Sequence, residues 1–208
     1  MSDEPIRAWH FTDGWTLRDG RELRPRLYTM RKPIVMCAVG YHASERILDA
    51  LEYAPGSVIS RVEVSGKILR EEDKLCASRR RVLWSLDIAP VLHEFACRVA
   101  EQALRTHRVT HRAAWAAIEA KRAWLRGEID DEALSTARYV AWSAAASAAW
   151  NAAWSARAAA WSAASTAMDA AAAAAAAAAT AAGADQNELL TRMVEEQRKT
   201  VEAVEEEK

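Results

Sequence analysis

The stretch Ala133–Ala184 constrains the fold more than any other part of the chain. It is mostly alanine, punctuated by Trp142, Trp150, Trp154 and Trp161, and only Arg138, Arg157 and Asp169 carry charge within it. Alanine is the best helix former because ordering it loses no side-chain entropy. No Gly or Pro interrupts the chain between Gly127 and Gly183. Asp130 and Asp131 can cap the start of a helix there, and Gly183 can end it. One unbroken helix would run roughly 75–80 Å at 1.5 Å per residue, too long for a compact domain in a chain of 208 residues. Breaks are therefore expected at Ser143–Ser147, at Asn151 and at Ser165-Thr166, whose side chains compete for backbone hydrogen bonds.

At about 100° per residue, Trp150, Trp154 and Trp161 share one side of a helix, with Trp142 roughly 80° from Trp150. Alanine faces let helix backbones approach closely, and tryptophan fills the larger gaps. The four tryptophans therefore read as helix packing in a tight bundle. A partner surface, an aromatic platform for a flat ligand or a second helix, is the alternative. The ten-alanine run Ala170–Ala179 holds little side-chain information to fix a register. It points to self-association, hence a homo-oligomer through the alanine-rich helices. Alanine and serine are only weakly apolar and no long Leu, Ile or Phe run is present, so no membrane span is expected.

Lys and Arg total 28 against 29 for Asp and Glu, a formal net charge of -1, which gives no electrostatic case for nucleic acid. The three cysteines, Cys37, Cys76 and Cys97, are far apart and form no CxxC. That argues for a reducing compartment and against a disulfide framework or zinc. The start, MSDEPIRAWHF, lacks an apolar signal-peptide core, so a cytoplasmic location is expected.

The expected fold class is α+β. A small mixed N-terminal β-sheet domain (1–88) precedes an alanine- and tryptophan-rich helical bundle (89–184) and a C-terminal amphipathic helix with an acidic tail (185–208). Trp9–Trp15, with Asp13-Gly14 and Asp19-Gly20, suits a short hairpin or edge meander. Arg26–Met30 and Ile34–Val39 read as strands around the Lys32-Pro33 turn, and Ser44 can cap a helix through Tyr53. Val58–Val64 alternates strictly, a strand signal, and Lys67–Arg70 follows the Ser65-Gly66 turn as the next strand. Arg79–Leu86 fits a strand or a helix. Pro90 suits a first helical turn, with Leu92, Phe95, Val99 and Ala103 as the apolar stripe of a helix to about Arg105. A second helix spans about Thr110–Arg126, with Trp115, Ile118 and Leu125 on one face. Asp185 and Glu188 form a capping pattern for the last helix.

Two stretches resemble known families. EFACRVAEQAL (Glu94–Leu104), AIEAKRAWLRGEI (Ala117–Ile129) and the alanine repeats after Ala137-Arg138 resemble an alanine-rich helical family of immunity proteins beside bacterial toxin systems. That resemblance implies an all-helical interaction module. It departs from the family in its ten-alanine run and in lacking histidines within the repeats. WHFTDG (Trp9–Gly14), LRDGR (Leu17–Arg21), GYHASERILDALEYAPG (Gly40–Gly56) and RVEVSG (Arg61–Gly66), then Asp73-Lys74, resemble an uncharacterised domain common in bacteriophage proteins. This implies a phage or prophage origin and supplies no activity.

The candidate ligand-binding residues are His10, His42, Ser44, Lys74, Arg79, Arg80 and Arg81. The arginine run, with Arg70 and Lys74 upstream, has the chemistry to hold a phosphate-bearing or nucleotide-type ligand, although such a run is also an ordinary solvated face. His42 and Ser44 at a strand end resemble ADP-ribosyltransferase-like folds. Those would want a later acid, for which Glu63 is a poor substitute; a packing role for His42 and a cap role for Ser44 is the plainer account. No Ser-His-Asp spacing, phosphate loop or HExxH occurs. His107 and His111 stand four apart, which metals can use, but no third ligand is near, so no metal, catalytic residue or cofactor is assigned. The expected function is a non-catalytic binding protein, a phage accessory factor that sequesters a host protein or a small phosphate-bearing ligand. The alternatives are a transferase-like enzyme and a structural oligomer.

Overall fold

A computed structural model of the chain describes residues 4–106, 108, 110, 112–140 and 183–206. The tryptophans Trp142, Trp150, Trp154 and Trp161, the breaks expected around them, and His107 and His111 lie outside the described residues. The chain divides into two units, Met1–Ala89 with Leu190–Lys208, and Pro90–Leu189. The class is α+β.

The first unit is built on a five-stranded sheet: β1 (Ile6–Thr12), β2 (Leu27–Thr29), β3 (Tyr41–Ala43), β4 (Val58–Arg70) and β5 (Leu75–Asp87). Every pairing among these strands is antiparallel, so the sheet is not mixed. β4 and β5 form a long hairpin, with β1 on the far side of β4. β2 and β3 lie end to end along β5, opposite Arg79–Arg81 and Leu75–Ala77. Just past β3, Ser44 exchanges two backbone hydrogen bonds with Trp9, at 2.8 and 3.0 Å, so the sheet curls back onto its own first strand.

The alternation of Val58, Val62 and Val64 puts them on one face with Ala8 of β1, Val82 of β5, and Tyr28, Tyr41 and Ala43 of the short strands, as a buried core. The expected Val58–Val64 strand does not stop at Gly66. It bends there and continues, because Gly66 takes φ +76° and a Cβ at that position would lie 2.4 Å from Ser78 Oγ. The register slips between Ser65 and Ile68, the mark of a bulge. Arg79–Leu86, open between strand and helix in the sequence, is a strand because β4 pairs with it along its length.

Two local expectations are corrected and one holds in part. Trp9–Thr12 belongs to β1, which pairs with β4 some fifty residues on, but the chain does turn back locally at Asp19-Gly20, where Thr16 and Glu22 bridge antiparallel and the Leu17 and Leu23 N–H groups donate to the Arg21 and Trp15 carbonyls at 2.7 and 2.9 Å. Ile34–Val39 is a tight turn rather than a strand. Val35 and Val39 bridge one another around Cys37, at φ +60°, and a run of apolar residues does not by itself distinguish a strand from a packed turn. Ser44 caps nothing: helix α1 (Ile47–Glu52) starts after Arg46, without a side-chain cap, and Ser44 is spent on Trp9.

The other face carries a stack in which Arg61 lies 4.3 Å over the Trp9 ring and Trp9 meets Trp84 edge-on at 5.8 Å. Arg198, from the end of the last helix, lies 5.4 Å over Trp84. In the second unit, α2 (Ala89–Thr106) and α3 (Arg112–Leu125) bury Cys97, Ala100, Leu104, Ala114 and Ile118. Arg122 locks them by donating to Glu101 at 2.7 Å and Glu94 at 3.1 Å. Residues 131–140 are helical, and Asp130 caps them by accepting the Ala133 N–H at 2.8 Å. The final helix, α4 (Gly183–Glu206), begins at the glycine expected to end the preceding helix, which puts Asp185 inside the first turn. No helix among the described residues is long and apolar enough to cross a membrane.

Candidate anion-binding site

Strand alternation splits the arginine run. Arg79 and Arg81 point outward and are exposed, while Arg80 points into the curled sheet and is 3% exposed. A buried guanidinium normally meets a carboxylate. Among the described residues none lies within ion-pair distance of Arg80. Its Nη1 donates to the His42 carbonyl at 3.3 Å and its plane sits 5.1 Å over the Tyr41 ring. Its Nε is buried with no partner. Burial pulls the pKa of Arg80 down to about 10, so the group is charged at neutral pH and short of compensation.

β1 and the end of β3 meet at the Trp9–Ser44 bridge, one residue from His10 and two from His42. His10 is on the core side of β1, between Ala8 and Thr12. Burial, then the charges of Arg80 and His42, hold His10 well below the usual histidine range; its main-chain hydrogen bond to His42 pushes the other way. His42 is shifted down too, by burial first and Arg80 second. Its Nε2 accepts the N–H of Cys37 at 3.0 Å.

Around Tyr41 and its neighbour Tyr28, rings 6.3 Å apart, two further guanidiniums gather. Arg21 donates to the Tyr41 hydroxyl at 3.3 Å and lies 5.2 Å over the Tyr28 ring, where Arg26 lies at 4.8 Å. Asp19 balances Arg21 through a hydrogen bond of 2.9 Å to its Nε. The result is an inward-facing cationic group: Arg80, held by the His42 carbonyl and backed by Tyr41, Tyr28 and Arg21, while the His42 ring, alternate to Tyr41 and Ala43 along β3, turns to the other face against Cys37. Such an arrangement can receive an anion through charge-assisted hydrogen bonds.

Of the seven residues expected from sequence, Arg80 and the main chain of His42 come together, and His10 stands next to the Trp9–Ser44 bridge that joins β1 to the end of β3. Ser44 is buried at the β1–β3 join. Lys74 stands at the margin: it donates to Tyr53 at 3.3 Å and pairs with Glu71 at 3.1 Å, which raises its pKa. Arg79 and Arg81 face away. Glu63, the acid a transferase-like site would want, is also on the outer face, 3.8 Å from Arg7. Tyr41, Tyr28 and Arg21 were missed. The Tyr-His-Ala alternation of 41–43 carried the signal, since an inward Ala43 requires an inward Tyr41.

The second unit holds a separate cluster that also escaped the sequence reading. Lys121 is 2% exposed, with its ammonium 3.9 Å over the Trp124 ring. His93 meets the same ring edge-on at 5.3 Å and keeps a buried Nδ1 without a partner among the described residues. Burial lowers Lys121 to about 8, and burial with Lys121 lowers His93 to about 4. Burial first, and Glu94 next, raises Cys97 to about 12. Lys121 could have been placed from its spacing, three residues beyond Ile118 on the apolar face. Among the described residues, no group of three or more His, Cys, Asp or Glu is placed to hold a metal ion.

No curated protein and no solved structure matches this chain. A family model described as a domain of unknown function (DUF7666) matches residues 11–94; the matched segment contains His42 and Arg80 and begins one residue after His10.

Proposed function

We propose that this protein is a non-catalytic binding protein whose first unit captures a phosphate-bearing, nucleotide-type ligand at Arg80, beside the main chain of His42. The observation that carries this reading is Arg80: a guanidinium 3% exposed, with an unpartnered Nε and no carboxylate in ion-pair distance among the described residues. A buried charge left short of partners costs several kcal/mol. A fold that keeps one gains by binding what completes it. The resemblance of the N-terminal domain to a phage domain supports a phage or prophage accessory factor that sequesters such a molecule in a host cell. The alanine-rich region is read as a helical bundle through which copies associate.

The test separates stability from binding. Arg80→Met replaces the charge with an apolar chain of similar length. It is expected to hold or raise the melting temperature, as apolar replacement of buried charge often does, while abolishing calorimetric binding of inorganic pyrophosphate. The double variant Arg79→Glu/Arg81→Glu, on the outer face, is expected to bind as the parent does. Unchanged pyrophosphate binding by Arg80→Met overturns the reading.

A further inference from the structure

Strand β2 ends the sheet: it pairs with β5 on one side, and no strand of the sheet lies beyond it. Its register decides which of its main-chain groups are used. The Met30 N–H donates to the Ser78 carbonyl at 2.8 Å, and the Arg26 carbonyl accepts the Val82 N–H at 3.0 Å. Such bonds fall on alternate residues of an antiparallel pair, so the N–H and C=O groups of Leu27 and Thr29 point away from β5. No hydrogen bond reaches them among the described residues. Both residues are exposed, Leu27 at 49%. Pro25 and Pro33, which offer no N–H, bracket this open stretch. An unpaired edge of this kind is a template for another chain. Its surroundings are cationic. Arg81 and Arg79 stand directly across from Leu27 and Thr29, on the same outer face. Both are exposed, as is Arg31 just past the strand. None of the three has a carboxylate in ion-pair distance among the described residues. Glu63, opposite Arg81 on β4, is 3.8 Å from Arg7 instead.

We propose that the free edge of β2 is a docking site for an extended acidic peptide, which adds to the sheet as a further strand. The open main-chain groups select the class of partner. A peptide strand continues the ladder at Leu27 and Thr29, whereas a nucleic-acid strand has no alternating N–H and C=O to offer. The arginines select its charge. Carboxylates at alternate positions of the added strand lie on the face that carries Arg79 and Arg81. A second copy of this chain would set the same arginines against each other. The chain's own acidic end is helical through Glu206 and supplies no strand. This surface is separate from the anion-binding site, because strand alternation turns Arg80 inward and its two neighbours outward. It stands whether or not that site binds phosphate.

The probe is a soluble peptide of about eight residues, a usual strand length, alternating glutamate and threonine. A lysine–threonine peptide of the same length is its control. Added to the isotope-labelled full chain, the glutamate peptide is expected to shift the Leu27 and Thr29 amide resonances and slow their hydrogen exchange. Its affinity is expected to fall as salt rises, and the lysine peptide is expected to leave both amides unmoved. Arg79→Glu/Arg81→Glu is expected to weaken the glutamate peptide by about tenfold or more and to admit the lysine peptide. Thr29→Pro removes one edge N–H and spares the Arg26 and Met30 bonds to β5. It is expected to melt near the parent and to lose the peptide. A glutamate peptide that fails to bind, binds no better than the lysine one, or binds with the two amides unmoved overturns the proposal. Binding retained by the double arginine variant does the same. A single-stranded oligothymidylate held there more tightly than the glutamate peptide overturns it in favour of nucleic acid. Leu27 and Thr29 amides protected at high protein concentration without peptide overturn it in favour of a second copy.

Discussion

Arg80 and His93 each keep a buried nitrogen that no group among the described residues satisfies, and a buried polar group left unsatisfied costs about 1–3 kcal/mol. For His93 that cost takes the form of a pH dependence. Its pKa of about 4 in the folded chain lies below the ordinary histidine value of 6.5. Between those values the unfolded chain binds a proton that the native chain refuses, so stability present above the unfolded pKa is lost as pH falls through the window. His10 and His42 are shifted in the same direction and add to the loss. Lys121 acts higher up: with a native pKa of about 8 against 10.5, it adds stability as pH rises between those values. We expect the melting temperature to drop as pH is lowered from about 7 to about 4, and His93→Phe, which keeps an aromatic edge for Trp124, to lose less. Thermal unfolding at several pH values checks this; parallel slopes for parent and variant contradict it. The sequence shows Arg80 only as the middle of a basic run. Its burial becomes legible once Arg79–Leu86 is known to be a strand, because period two then sends Arg80 inward with Val82.

The β4–β5 hairpin positions the site, since Arg80 reaches the His42 carbonyl only if β5 keeps its register from end to end. Half of the hairpin was legible: Val58–Val64 announces itself by alternation. Its continuation through Gly66 was not, because Ser65-Gly66 has the composition of a turn and only long-range pairing turns it into a bulge. Gly66 has a second constraint in Ser78, whose Oγ accepts the Lys67 N–H at 2.9 Å on the spot a Cβ would crowd. We expect Gly66→Ala to cost about 1–3 kcal/mol, from the left-handed backbone and the displaced serine together. Gly14, at φ +68° with nothing within 4 Å of a Cβ, carries the backbone penalty alone; Gly14→Ala is expected to cost about 1 kcal/mol or less. Urea unfolding of the two variants ranks them, and a Gly66→Ala midpoint equal to that of Gly14→Ala contradicts the bulge argument.

The first unit closes with residues from the far end of the chain. The amphipathic pattern after Gly183 shows that a helix forms there, with Leu190, Met193 and Val194 as its apolar positions, but amphipathicity names no partner. What ties this helix to the sheet unit is a pair of side chains that sequence cannot bring together: Arg198 over Trp84, more than a hundred positions apart. The charge of Glu195 also offsets part of the burial cost of Arg61. Leu190 and Val194 are fully buried, Met193 is 7% exposed, and Val204 near the end is 49% exposed. Each buried aliphatic side chain is worth about 1.5–3 kcal/mol, a large share of the roughly 5–15 kcal/mol that holds a domain together. We therefore expect truncation after Leu189 to lower the melting temperature by many degrees. Truncation after Glu202 removes, among the described residues, only exposed ones of an acidic helix end, where negative charge opposes the macrodipole, and is expected to leave it unchanged or slightly raised. Circular-dichroism melting of the two truncated chains beside the parent makes the comparison. If both melt together with the parent, the C-terminal helix is an appendage and the sheet unit is complete without it. If only the shorter chain falls, Leu190–Glu202 is part of the sheet unit's own core.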